Sequence, residues 1–339
     1  MATFAAPLSR EGPGLLLRDL GRDDPQIDAV IGVIAQVSPD ILLLTDFDFD
    51  AEGFALAAFA KRLADAGVDL SWRFALPPNS GEMTALDLDR NGRLGEARDA
   101  QGYGTFAGDG GMALLSRLPI DTAGVQDLSG LLWRDIPGAT LPTLPDGGAW
   151  PEDLQAIQKL STTGHWIVPV TAPSGPFHLL AFSATPPVFD GPEDRNGLRN
   201  RDELGLWALV MAGAFGPAPE MAILAGNTNL DPVDGDGLSA AMRDVLGGDI
   251  WQDPQPRSAG GARAADPGQS GDPALDTADW PFPDGPGNLR VSYVLPSRAW
   301  RVLASGVFWP AQGESGADIL GPDGMAAGPH RLVWVDIAR

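Results

Sequence analysis

The sequence predicts an α/β fold in which buried β-sheets are covered by helices. Three observations lead there. Over residues 1–66, strand-like and helix-like apolar patterns alternate in strand–helix–strand order. The stretch Met221-Ala-Ile-Leu-Ala-Gly-Asn-Thr-Asn-Leu-Asp-Pro232 runs apolar from Ala222 to Ala225, then breaks at Gly226 into a polar turn. A buried strand has this form when it delivers side chains to the end of a sheet. The chain has 339 residues, 44% of them hydrophobic, which is ample for a sizeable core and excludes global disorder.

Taken in order, Ala2 to Ala5 reads as a first strand and Pro7 to Asp24 as an extended loop with Pro13-Gly14 as its turn. Ile27, Val30, Ile31 and Ile34 recur at helical spacing and predict a helix over 26–37. Pro39 to Asp50 is a buried strand ending in acids, followed by a helix over about 51–66 with Phe54, Ala58 and Leu63 on its inner side. Residues 79–106 are rich in Gly and Asp and form a loop insertion. Gly111 to Ser116 is a strand, 132–150 is irregular, and Glu152 to Leu160 is a short helix. His165–Val170 and Phe177–Phe182 form a hairpin around Pro173-Ser-Gly. A helix over 202–214 precedes the Ala222 strand, and residues 253–288, rich in Pro, Gly, Asp and Ala, read as a long surface excursion. Strands at Arg290–Leu295, Val302–Phe308 and Leu332–Ile337 close the chain. No internal repeat or linker divides it, so residues 1–339 are expected to form one domain.

Composition removes several function classes. With no cysteine there are no disulfides, thiolate metal sites or Cys nucleophiles. The net charge, 23 − 45 = −22, disfavours bulk nucleic-acid binding, and no basic run with interleaved aromatics offsets it. No apolar run is long enough to span a bilayer, and no signal peptide is visible. The expected protein is soluble, cytoplasmic as written, or periplasmic or secreted if a leader has been removed.

Several clusters carry candidate chemistry. Asp87, Asp89, Asn91 and Asp99 place oxygens around a Gly92 turn, a pattern suited to Ca²⁺, although an EF-hand's closing Glu is replaced by Arg98. Asp231, Asp234 and Asp236 form an acidic turn that suits either solvent or a cation. The charged segment Glu193 to Glu203 reads as a salt-bridged loop capping the next helix, or as an anion-binding rim of Arg195, Arg199 and Arg201. His165 and His178 sit among strand residues and are expected to be structural. A Ser183 or Ser292 nucleophile paired with His330 lacks any Gly-x-Ser-x-Gly elbow.

The Gly226-Asn-Thr-Asn229 turn resembles the Gly-Asp-x-Asn segment of the endonuclease/exonuclease/phosphatase superfamily. The resemblance extends in order through the Ala2-Thr-Phe4 start, the 40–50 strand, the Met112 strand, the Phe177-to-Pro187 segment, the Arg290 strand and the His330 terminus. Thr185-Pro-Pro-Val-Phe-Asp-Gly-Pro-Glu-Asp-Arg-Asn-Gly197 is similar to a segment of a bacterial branch of that family. The resemblance implies a four-layer α/β/β/α sandwich of two mixed sheets flanked by helices. It also implies phosphoester hydrolysis with a divalent metal, usually Mg²⁺, at one end of the sandwich. Carried over by position, the motifs leave Asn229 and His330 unchanged and place Asp46, one methylene shorter, at the metal-binding Glu. The other positions have changed: Ala5 for Asn, Ser183 for the phosphate-binding His, Asn227 for Asp, Ser292 for the His-orienting Asp, and Pro329 for the terminal Asp.

Three functions follow as expectations. The first is a pseudoenzyme that binds a ligand, such as a small phosphate-bearing molecule, or a protein partner at the former active-site cleft. The second is a phosphoesterase with a rebuilt site using Asp46, Asn229, His330 and the Asp231–Asp236 acids, with Mg²⁺ or Mn²⁺ at Asp46. The third is a structural or interaction protein stabilised by Ca²⁺ at 87–99.

Overall fold

A computed structural model describes residues 1–339. Its centre is a pair of mixed sheets. The six-stranded sheet runs Arg301–Val307, Val333–Ala338, Ala2–Leu8, Ile41–Phe47, Gly111–Ser116, Trp72–Phe74, and within it Ala2–Leu8 and Ile41–Phe47 are parallel. The five-stranded sheet runs Ser292–Pro296, Ala222–Asn227, Gly175–Ser183, Gly164–Ala172, Gln126–Asp127, with Ala222–Asn227 parallel to Gly175–Ser183.

The sheets share one core. A cluster of 48 buried residues joins Phe4, Leu42, Leu44 and Leu114 to Val168, Leu179, Ile223 and Val294, so residues of both sheets pack into the same apolar volume. It also takes in Ile27, Val30 and Ile34 of the helix Pro25–Val37 and Phe59 and Leu63 of the helix Phe54–Asp65. A second cluster packs Leu180, Phe182 and Leu224 against Leu206, Trp207 and Val210 of the helix Arg195–Met211. The result is two mixed sheets flanked by helices, as the sequence predicts.

Local signals explain several boundaries. The Asp24 carboxylate accepts from the backbone N–H groups of Gln26 and Ile27 (2.9 and 3.0 Å), and Pro25 opens the helix it caps. Asp50 does the same for Phe54 and Ala55, both at 2.8 Å.

Four expectations need correction. The 7–24 loop contains a helix, Leu15–Leu20, anchored by buried Leu16 and Leu20. Phe54 faces solvent, because it opens its helix where the core has ended; Ala55, Leu56, Phe59 and Leu63 form the inner side. The helix expected over 202–214 begins at Arg195, since several charged side chains of its first turns point inward and hide the apolar period. The 253–288 segment is only partly a surface excursion: Ala278–Trp280 and Gly287–Leu289 pair antiparallel, and buried Thr277 accepts from the backbone of Val291 and Ser292. Its Pro and Gly content conceals that pairing.

Gly226 lies inside the strand rather than at its turn. Its φ is +150°, and a Cβ there would sit 1.8 Å from the carbonyl oxygen of Phe182 on the neighbouring strand. The glycine is therefore required by close approach of two backbones. Gly226→Ala should lower stability by roughly 2–5 kcal/mol through strain and overpacking. A denaturant midpoint unchanged from wild type would contradict this placement.

Candidate functional site

Strand ends of both sheets meet around a cleft of about 680 Å³. Ala5, Asp46, Ser183, Asn227, Asn229 and His330 all line it. The register explains the convergence, because Ala5 pairs with Thr45 in one sheet and Ser183 with Asn227 in the other. Ser292 and Pro329 do not line the cleft. Ser292 lies beside Asn227 on the adjacent strand with its hydroxyl buried and unpartnered, and the Pro329 carbonyl accepts from the backbone of Asp279. The Asp231–Asp236 acids also lie outside the lining. Asp231 accepts from the backbone of Val233, Asp234 and Arg290, and Asp234 from that of Ser270 and Gly271, so these side chains brace loops.

Asp46 is turned into the cleft by a bulge. Thr45 and Phe47 pair across Asp46 with consecutive partners Met112 and Gly111, leaving Asp46 unpaired at φ +67°. No protein group donates to its carboxylate. Enclosure first, and then the carboxylates of Asp48 and Asp109, push its pKa up to about 8. Water still reaches the side chain, which is exposed at the cleft surface. Its acidic neighbours are committed: Asp48 accepts from the backbone of Arg10 and Gly110, and Asp109 from Ser9 and Thr105.

Asn227 and Asn229 are brought together at the strand end, but they face each other. Asn227 Nδ2 donates to Asn229 Oδ1 at 3.1 Å, and Asn229 Nδ2 donates to the Ala184 carbonyl at 2.8 Å. His330 stands edge-on to Trp280 with ring centroids 5.1 Å apart, and its Nδ1 has no partner. Burial and the adjacent Arg331 guanidinium pull its pKa down to about 4, so the ring is neutral at pH 7.

The segment read as a capping loop is the first turns of the helix itself; of the arginines read as an anion-binding rim, Arg195 and Arg199 line the cleft and Arg201 does not. Arg199 is 4% exposed and donates to the carbonyls of Gln101, Lys159, Leu160 and Ser161. Glu203, one helical turn on and fully buried, accepts from the backbone N–H groups of Thr162 (2.6 Å) and Thr185 (2.7 Å). Arg195 donates to the Leu88 carbonyl, and Arg201 pairs with Asp202 at 2.7 Å. These charges hold the cleft walls in place. His165 is structural: fully buried, it bonds Ser161 and the Glu203 carbonyl and stacks on Trp207.

Sequence reasoning missed the outer walls. Tyr103 and Phe189, both exposed, line the cleft together with Arg98 and the buried Gln158 and Thr162. The available signal was a large aromatic alone among turn residues, Gly102-Tyr-Gly104 and Val188-Phe-Asp190. In the separate loop at 87–99, Asp87, Asp89 and Asp99 do come together, with one carboxylate oxygen from each within 4.8 Å of the others. Asn91 does not join them as an oxygen donor, because its Oδ1 accepts from the backbone of Arg93 and its Nδ2 points at Asp89.

Comparison with known proteins agrees with this fold. The sequence pattern of the Endonuclease/Exonuclease/phosphatase family matches residues 14–316. An endonuclease/exonuclease/phosphatase from Beutenbergia cavernae DSM 12333 superposes on 99% of this chain and 71% of its own, at 17% identity and a TM-score of 0.54. A family protein from Leptotrichia buccalis C-1013-b covers 100% of both chains at 13% identity and a TM-score of 0.51. A third, from Bacteroides vulgatus, covers 99% of this chain and 97% of its own at 11% identity and a TM-score of 0.52. These structures share the fold. No curated protein matches the sequence.

The Glu203 staple has a pH signature. Burial raises its pKa to about 7 from an ordinary value of 4.5, although Arg199 and the two amides oppose the shift. The folded state thus holds this proton more tightly than the unfolded chain. The stabilisation is fully present below pH 4.5 and is lost as pH rises through about 7. Glu203→Gln should flatten that dependence, while costing about 1–3 kcal/mol overall because its Nε2 would meet a backbone N–H. Urea midpoints at pH 5 and pH 8 test this; an equal difference between wild type and variant at both would refute it.

Proposed function

The chain belongs to the endonuclease/exonuclease/phosphatase family, and from that premise we propose that residues 1–339 act as one domain that binds a ligand in the family cleft without efficient phosphoester hydrolysis. One observation carries the reading: the strand ends converge on one cleft, but most of the side chains they bring to the family motif positions are neutral. Ser183 and Asn227 are uncharged, Ala5 offers no oxygen, and Arg199 is spent on backbone carbonyls. His330 lacks both a partner carboxylate and a charge at neutral pH.

The donor set fits only a weakly held divalent ion. Mg²⁺ or Mn²⁺ is commonly bound by one or two carboxylates with water and ligand completing the shell, and here Asp46 is the one unpartnered carboxylate in the cleft. Such an ion, when bound, would polarise a ligand oxygen. What the chain itself contributes is the Asn227–Asn229 pair as a fixed polar floor and His330 as a neutral hydrogen-bonding edge.

Losing a charge-stabilising contact or the orientation of a histidine typically costs 10² to 10⁴ in rate, and such losses do not add simply. Purified protein with Mg²⁺, Mn²⁺ or Ca²⁺ should therefore leave DNA, bis-p-nitrophenyl phosphate and phosphomonoesters uncleaved above background. Metal-dependent turnover that disappears in Asp46→Ala would overturn the proposal in favour of a rebuilt phosphoesterase.

A second reading, calcium stabilisation of the 87–99 loop, is favoured by the proximity of Asp87, Asp89 and Asp99. Arg98, 3.9 Å from Asp89, competes for the same charge. Calcium at a hundredfold excess over its Kd should add about 2.7 kcal/mol, read as a rise in Tm that Asp89→Ala removes. A melting transition indifferent to calcium rejects this reading.

A further inference from the structure

We propose that the cleft receives a neutral polyhydroxylated ligand, a mono- or disaccharide, with its ring held against Tyr103 and Phe189. The inference rests on the ligand-binding reading above and names the ligand class for the same site.

Two aromatic rings are left in water at its wall. Tyr103 is 69% exposed and Phe189 is 76% exposed, and they come from separate loops. Phe189 is held at φ +70°, a conformation that a bulky residue rarely adopts. Exposed rings on strained backbone do nothing for the core. They offer flat apolar faces of the kind on which the C–H face of a pyranose can pack.

The rest of the lining is largely neutral and polar. Ser80, Thr163, Ser183, Asn196, Asn227 and Asn229 all belong to it. The set mixes hydroxyls, which donate and accept, with side-chain amides, which carry a donor and an acceptor each. Ligand hydroxyls also donate and accept and suit such a mixed set, whereas phosphate oxygens at neutral pH mainly accept.

Charge does not oppose this. Arg199 is bound by backbone carbonyls, Arg195 gives one N–H to the Leu88 carbonyl, and Arg98 lies 3.9 Å from Asp89. Asp109 accepts from Ser9 and Thr105. The charged groups of the lining are few and of both signs, and a neutral ligand needs none of them. The volume of about 680 Å³ lies within the range of small-molecule sites.

The test is titration calorimetry and saturation-transfer NMR with glucose, mannose, N-acetylglucosamine, maltose and cellobiose, using adenosine and inorganic phosphate as competing chemistries. At least one saccharide should bind with a Kd in the millimolar range or tighter. Tyr103→Ala and Phe189→Ala should each weaken it roughly three- to tenfold, with circular dichroism and melting unchanged because both rings are exposed. Absence of saccharide binding across the panel, or binding indifferent to both aromatic variants, overturns the proposal. Binding of adenosine or phosphate alone also overturns the ligand class, while leaving the non-hydrolytic cleft intact. Metal-dependent phosphoester turnover lost in Asp46→Ala would instead remove the reading on which the proposal rests.

Discussion

Two buried charges on one helix, Arg199 and Glu203, set the form of the cleft. They are four residues apart, a spacing at which opposite charges on a surface helix would pair. Here each is fixed by backbone groups of other segments. The guanidinium gathers the carbonyls of Gln101 and 159–161, and the carboxylate gathers the amides of Thr162 and Thr185. Burying either charge alone would be prohibitive. Bonded to converging backbone dipoles, they join the 79–106 insertion, the 159–163 segment and the strand end at 183–185 to one helix. Removing either would leave the walls without a common anchor.

The floor follows from backbone geometry. A bulge turns Asp46 into the cleft, and the close approach of Gly226 to Phe182 fixes the strand that carries Asn227. Neither device depends on which side chain stands at the neighbouring reactive positions. Scaffold and chemistry are therefore separable in this fold: Ser183, Asn227 and Ala5 occupy strand-end positions without disturbing the register that put them there.

That separation also explains what could be read from sequence. Period and burial revealed most strands, because an apolar run such as Ala222–Ala225 has few alternatives in a chain of this composition. The floor of the site was legible through motif order, as with Asp46, Asn229 and His330. The walls were not. Arg195, Arg199 and Glu203 read as solvated charge, since periodicity treats every charged residue as an outward-facing one. The pairing of Ala278–Trp280 with Gly287–Leu289 is two short strands within Pro- and Gly-rich sequence, and pairing is a long-range property that no local window carries. Tyr103 and Phe189 belong to the same class, because only the fold places their separate loops on one cleft wall.

Charge supplies the remaining step. A chain of net charge −22 repels anions at long range, so a phosphoester site in it would need a strong local attractor. In this cleft, the candidates are a neutral imidazole, the Arg199 guanidinium already bonded to carbonyls, the partly engaged Arg98 and Arg195, and whatever cation Asp46 can hold. None of these is a cluster of free cations, so the long-range field is opposed only weakly at the site. Under the ligand-binding proposal, affinity therefore falls to shape, the aromatic wall and the neutral polar lining.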